Sequence, residues 1–269
     1  MEFRHIDGCE NHPLIDHFYQ LKICKEDLPF TSLIVPIGQT DITYVFSNHK
    51  QEYHLDERVI KLNNLILTGQ IYGHYNFIVN HESDNIGFAL RPTALYKILN
   101  KDISEFNNLH LQLKKVSEYL HEQLAPIFIN NYNDDKSFVK GIIDFFDNFE
   151  LSNDKNIHHI DKAVNLILER DGLITVNELL EEIHLSQKTL ETLFKKIVGF
   201  TPGKYIKQSR FLSLMRKYQS KESNLKSLLY EFNYYDQSHF SRDFKFFTGQ
   251  SPREYFKKDF PLIEQYLTE

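Results

Sequence analysis

Cysteine is scarce: Cys9 and Cys24 are the only two in 269 residues. That excludes a disulfide framework and a cysteine-rich zinc site. Long apolar runs are missing as well. None reaches the roughly 20 residues needed to cross a bilayer, and Met1 to Glu10 holds no apolar signal core. A soluble, cytoplasmic protein with no membrane partner is the expectation. There is no glycine-rich phosphate loop and no nucleophile–base set, so neither an enzyme nor a cofactor is expected. His49, His54, His74 and His81, with Glu82, are scattered and include no His-x-His pair. Such spacing fits surface or satisfied core histidines better than a metal site.

What is present is a chain 41% hydrophobic and 25% charged, rich enough for a real core and unlike a disordered or fibrous sequence. Its net charge of −6 argues at first against a nucleic-acid binder. The charge is uneven, however. From Ile157 onward there are 17 basic against 15 acidic residues, whereas Met1 to Asn156 has 14 against 22. A mildly basic part joined to an acidic one suggests two different tasks.

Down to about Arg91 the chain reads as strands. Ser32–Val35, Ile42–Phe46, Leu65–Thr68, Phe77–Val79 and Ile86–Leu90 are β-branched or aromatic runs separated by turn residues. That spacing suggests a sandwich or small barrel. From Pro92 the period changes. Phe106, Leu109, Leu113, Val116, Leu120 and Leu124 form one helical stripe, and Phe138, Ile142, Phe145, Phe146 and Phe149 a second. Both can cover the sheet, and the first also offers a face for a second copy of the chain. Leu151 to Asn156 reads as a linker. The expected domains are therefore 1–150 and 157–260, an α+β protein whose second half is all helix. Helices are expected at Ile160–Glu169, Val176–Ile183, Ser186–Val198, Pro202–Tyr218, Leu225–Phe232, Asp236–Thr248 and Pro252–Phe256, with a turn at Ser223-Asn224.

The informative feature is a repeat inside this second half. Ser186, Leu190, Phe194-Lys195, Gly199, Thr201-Pro202 and Tyr205 recur 50 positions later as Asp236, Phe240, Phe244-Lys245, Gly249, Ser251-Pro252 and Tyr255. Ser186 and Asp236 are good N-caps. The apolar pairs lie at i and i+4, and each glycine can end its helix in the left-handed conformation. Thr201-Pro202 and Ser251-Pro252 start the next helix. Each copy follows a shorter helix and a turn (Ile183-His184 and Asn233-Tyr234), which is helix-turn-helix geometry. Two irregularly linked copies do not make a solenoid.

On these residues, Ile160 to Phe256 resembles the DNA-binding domain of the AraC/XylS family of bacterial transcription regulators. The second copy carries the family pattern most fully, from Phe232-Asn233-Tyr234-Tyr235-Asp236-Gln237-Ser238-His239-Phe240 to Ser251-Pro252. The resemblance implies two helix-turn-helix units joined by a long helix, Pro202 to Tyr218, that sets two recognition helices in successive major grooves about 34 Å apart. It places Gln187, Lys188, Glu191 and Thr192 on the groove side of the first and Gln237, Ser238, His239 and Arg242 on that of the second. Lys195 and Lys245, with Lys188 and Lys196, would grip phosphate. Arg242 can span O6 and N7 of guanine, and Gln237 can read adenine. The chain departs from the family at Asn233, where the turn glycine is usual, at Leu180 and Leu229, where small alanines are usual, and at Thr192, where an arginine is usual.

The first half resembles, more loosely, the cupin-like barrels with trailing helices that serve this family as effector or dimerisation domains. The resemblance implies double-stranded DNA and RNA polymerase as partners, a homodimer, and a small-molecule effector. Tyr72, Tyr75, Phe77, Phe88 and Arg91 are the candidate pocket residues. The alternatives are the same regulator with no small-molecule ligand, controlled by abundance or a protein partner, and a metal-dependent cupin enzyme fused to a DNA-binding domain.

Overall fold

The computed structural model describes residues 1–55, 57–220 and 224–267. Nine strands come first: β1 (Glu2–Ile6), β2 (Ile15–Ile23), β3 (Phe30–Ile34), β4 (Thr40–Phe46), β5 (Gln51–Leu55), β6 (Arg58–Leu62), β7 (Asn64–Thr68), β8 (Tyr75–Val79) and β9 (Ser83–Leu90). After α1 (Ala94–Leu99), a short strand β10 (His110–Gln112) returns to the sheet. Then follow α2 (Leu113–Val116), α3 (Glu118–Asn130) and α4 (Asp135–Asp147). The remainder is helical: α5 (Ile157–Glu169), α6 (Val176–Ile183), α7 (Gln187–Val198), α8 (Pro202–Gln219), α9 (Leu225–Glu231), α10 (Gln237–Thr248), α11 (Pro252–Tyr255) and α12 (Pro261–Leu267). Of the expected Ser223-Asn224 turn, Ser223 lies outside the described residues, while the Asn224 side chain caps α9 by accepting from the Ser227 amide. Among the described residues no helix is long and apolar enough to cross a membrane.

The strands form two antiparallel sheets, ordered β1-β2-β9-β4-β7-β10 and β3-β8-β5-β6. A period of two divides the larger sheet into two faces. Ile42, Leu65, Leu67, Ile86 and Phe88 point outward into one apolar core that also takes residues of α3 and α4. Phe88 is fully buried there against Phe18, Phe128 and Phe146. Val45, Ile66 and Leu21 point inward and meet Tyr53, Phe77 and Val79 of the smaller sheet. The α+β architecture expected from the sequence is the one observed, with the β-rich part first and the helical part second.

The apolar core under the larger sheet does not stop at the expected linker. It continues through Ile160, Val164 and Ile167 of α5 to Leu190, Phe194 and Ile197 of α7 and Tyr205 of α8. A second cluster joins α8 to α12 and includes Leu33 and Val35 from the β-rich part.

The expected single helix from Phe106 to Leu124 is four elements. A short turn of helix, Ile103–Phe106, ends at Asn107-Asn108, where Asn108 takes a φ of 54°. His110–Gln112 then pairs with β7. Ser117 is extended and caps α3 by accepting from the Leu120 amide. The helical spacing arose because separate segments face one core. Leu113, Leu120 and Leu124 are 1% exposed or less, so these three face the chain's own core.

Replacing Phe88 with alanine should lower the unfolding free energy by about 3–5 kcal/mol, the cost of an emptied aromatic core site. Urea denaturation of the two proteins measures it, and a loss below 1 kcal/mol would contradict this placement.

Candidate nucleic-acid interface and interior cavity

In the first unit, Thr175 and Glu178 make a reciprocal cap at the start of α6. His184 ends that helix at a φ of 58°, a left-handed conformation that sterics disfavour for most residues with a side chain and that His adopts more readily. Ser186 then caps α7 by accepting from the Thr189 amide, and Gly199 ends it at a φ of 106°. Gln187, Lys188, Thr192 and Lys195 are exposed, and Glu191 is half-buried. Several of these polar groups satisfy one another. Gln187 Nε2 donates to Glu191 Oε1 at 2.9 Å, and the Thr192 hydroxyl donates to the Lys188 carbonyl at 2.8 Å. Lys196 faces the other way. Its Nζ lies 3.9 Å from Asp154 and 5.1 Å from the Tyr96 ring centre, so it ties α7 to the β-rich part rather than extending toward a phosphate.

The second unit repeats the plan. Asn233 takes a φ of 54° in its turn, filling the role of the usual glycine because Asn tolerates this region. Asp236 Oδ1 accepts from the His239 amide at 2.7 Å, capping α10, and Gly249 ends that helix at a φ of 72°. Gln237, Ser238, Arg242 and Lys245 are exposed. Arg242 makes no ion pair with any described residue. His239 is half-buried, its ring 5.1 Å from that of Tyr234 and its Nε2 3.9 Å from Asp243, so it is partly a packing residue. Asp243 itself escaped sequence reasoning. Its side chain is 5% exposed, with Lys207 Nζ at 2.7 Å and Arg210 at 3.7 Å. One carboxylate thus pins α10 to α8, the helix that joins the two units. That connector has 18 residues, a length of about 27 Å.

A cavity of about 140 Å³ lies between the two sheets. Of the five candidate pocket residues, Tyr75 and Phe77 line it. Phe88 points away from it, being on the opposite face of β9. Arg91 lies elsewhere, donating to the His12 carbonyl and facing Asp16. Tyr72 packs on Phe200, Phe246 and Phe247, under the helical part. Aromatic composition drew attention to these residues, but strand alternation decides which face each takes. Among the cavity residues missed in the sequence are the polar Tyr19, Asp41, Thr43 and Thr68, together with Tyr266 from α12. Burial pushes the Asp41 carboxyl up to about 6, offset in part by hydrogen bonds from Thr43, Tyr19 and Thr68 and by the charge of His17. Burial also drives His110, stacked on Tyr53, down to about 3. Of the scattered histidines, His49 stacks on His81 and His54 meets Glu52. Among the described residues no group of three or more His, Cys, Asp or Glu could hold a metal ion.

Comparison with known proteins bears on both halves. A family model described as a helix-turn-helix domain matches residues 179–258. Another, described as a domain of unknown function (DUF6597), matches residues 12–112. The C-terminal part is a helix-turn-helix domain. Among solved structures, the apo form of a ToxT variant from Vibrio cholerae is 11% identical, with a TM-score of 0.50, over 90% of this chain and 96% of that one. A Vibrio cholerae ToxT structure with a bound unsaturated fatty acid is 14% identical over 94% of each chain, with a TM-score of 0.47. The AraC-like transcriptional activator CuxR is 17% identical over 75% of this chain and 74% of its own, at 0.29. No curated protein matches. The first likeness shows a shared fold.

The helix-turn-helix domain is held to the β-rich part near the ends of α7 and α10. Asn107 Nδ2 donates to the Gly199 carbonyl at the end of α7. His74 Nδ1 lies 3.2 Å from the Phe246 carbonyl at the end of α10. A Cβ added at Gly199 would fall 2.4 Å from Asn107, and one at Gly249 would fall 2.4 Å from His74. Each glycine therefore ends its helix and clears space for a docked side chain. Between these points, Tyr205 donates its hydroxyl to the Gly38 carbonyl.

Two measurements check these assignments. Asp243→Ala leaves Lys207 and Arg210 without their buried counter-charge and should cost about 3 kcal/mol of stability; a change under 1 kcal/mol in denaturant would contradict the anchor. Asp41 gives a pH test. Its folded-state carboxyl is raised from the ordinary 3.8 to about 6, so its contribution to stability is fully present below pH 4 and is lost as pH rises through 6. Asp41→Asn should therefore flatten the fall in stability between pH 4 and 7, read as melting temperature against pH for both proteins.

Proposed function

We propose that this chain is a sequence-specific transcription regulator that binds double-stranded DNA through its AraC-type domain and answers a small-molecule effector held in the cavity of its β-rich part. It acts by binding, without catalysis or a cofactor, on DNA bound as a homodimer and in partnership with RNA polymerase. The division of labour follows the two parts, 1–150 for sensing and assembly and 157–260 for DNA. With the Phe106–Leu124 stripe buried, the pairing face moves to the outer side of α3, where Tyr119 and Ile129 are more than half exposed.

The observation that carries the reading is the pair of capped recognition helices. Each presents its N-terminal polar residues to solvent while its C-terminal end is docked. They are unequal readers. On α7, Gln187 and Glu191 are paired to each other and Thr192 is bonded to its own helix. On α10, Arg242 is exposed and makes no ion pair with any described residue, free to span one guanine. The effector reading is supported by α12, which follows the second unit directly and contributes Leu262, Ile263 and Tyr266 to the cavity wall. A molecule in the cavity touches the sheets and the tail of the AraC-type domain together.

Arg242→Ala should lower affinity for the operator by about 1–3 kcal/mol and leave affinity for scrambled duplex nearly unchanged. Thr192→Ala should change both little. Lys195→Ala should weaken both alike, with a shallower salt slope as one phosphate contact is lost. Titration of each variant on DNA recovered from a genome-wide binding map, at two salt concentrations, reads all three. Equal loss on both duplexes for Arg242→Ala would make Arg242 a backbone contact.

A further inference from the structure

The cavity between the sheets carries information about what it holds. At about 140 Å³ it compares with an engineered apolar cavity that accepts benzene, so its occupant is the size of one ring. Its walls are apolar and aromatic, with Phe3, Tyr53, Tyr75, Phe77 and Tyr266 among them. Asp41 is the single charged side chain among the described lining residues; none of these is Lys, Arg or His.

Asp41 sits on β4 directly across from Thr68 of β7. Its Oδ1 accepts from the Thr43 hydroxyl at 2.9 Å and from the Tyr19 hydroxyl at 3.2 Å, and the Thr68 side chain donates to it as well. A carboxylate has about four acceptor positions, so one remains for a donor from inside the cavity. An anionic ligand would bring a second negative charge to this group with no cation among the described lining residues, in a medium where repulsion is strong. An ammonium group would make a charge-assisted hydrogen bond and lie against aromatic faces that attract cations.

We propose that the cavity takes a small apolar amine, its ammonium on Asp41 and its body among the aromatic side chains. This rests on the reading of the cavity as the effector site and adds the chemistry of the ligand. Burial holds the Asp41 carboxyl up at about 6, and the hydrogen bonds from Thr43, Tyr19 and Thr68 and the charge of His17 offset it only in part. A bound ammonium adds a cation in direct contact and favours the ionised carboxylate. Because Leu262 and Tyr266 of α12 close the same cavity, occupancy bears directly on the segment that follows the second helix-turn-helix unit.

The test uses one ring with three heads. Benzylamine, benzyl alcohol and benzoate are titrated into the full-length chain near neutral pH, read by calorimetry and by shift of the melting temperature. Benzylamine should bind at least tenfold tighter than benzyl alcohol, and benzoate should not bind. Asp41→Asn should abolish the preference for the amine and leave benzyl alcohol binding as it was, which also shows that the variant is folded. If that variant does not fold, the ranking on the unmodified chain decides alone. Benzoate binding as tightly as benzylamine, or benzyl alcohol matching benzylamine, overturns the amine assignment and leaves the effector cavity standing. If none of the three binds or shifts the melting temperature, the cavity is not an effector site and the proposal falls with that reading.

Discussion

Two helix ends without side chains organise this molecule. At Gly199 and Gly249 the chain needs a left-handed residue to stop a recognition helix. The same absence of a Cβ admits Asn107 at one end and His74 at the other. A helix C-terminus exposes carbonyls that need donors, and the β-rich part supplies one at each. Both recognition helices are thereby positioned twice, once by the long connector α8 and once by the sheet-bearing half of the chain. Their exposed N-terminal ends are left clear.

This arrangement makes the two halves of the chain mechanically dependent. The apolar core under the larger sheet continues into α5 and α7, and Tyr205 of α8 is bonded to Gly38. At the other end α12 packs against β1, β3 and α8 and forms part of the cavity wall. The second unit is fastened within its own domain by Asp243, whose partners Lys207 and Arg210 both lie on α8. The first has no such ion pair at the matching position, Leu193, and leans on the β-rich part through Asn107 and Lys196. The repeat is thus symmetric in backbone and asymmetric in what holds it.

Most of the helical half was legible because its signals are local. A cap residue, an i and i+4 apolar pair and a stop glycine act within one or two turns, and α6 was delimited to the residue. The strands beginning at Phe30, Thr40, Asn64, Tyr75 and Ser83 could be read for the same reason, since alternation and turns are short-range. Where the reading failed, segments from different elements imitated one period. Phe106 to Leu124 looks helical because a helical turn, a strand and two helices all send residues to one core. The helix α12 and the strands β1, β2, β5 and β6 do not stand out in the sequence, because their patterns mix polar with aromatic residues and, β2 apart, are short.

The sequence by itself determined the two helix-turn-helix units, their caps and stops and the α+β class, because each depends on neighbours within about a dozen positions. Only the tertiary structure decided what meets in the interior. Asp41, Tyr19, Thr68 and Tyr266 come from three strands and a terminal helix, and no spacing along the chain links them. The face that each strand residue takes depends on register with its partners, and a shift of one position would reverse every choice. That is why Phe88, an aromatic residue in a strand, belongs to the core, while an aspartate among threonines belongs to the cavity.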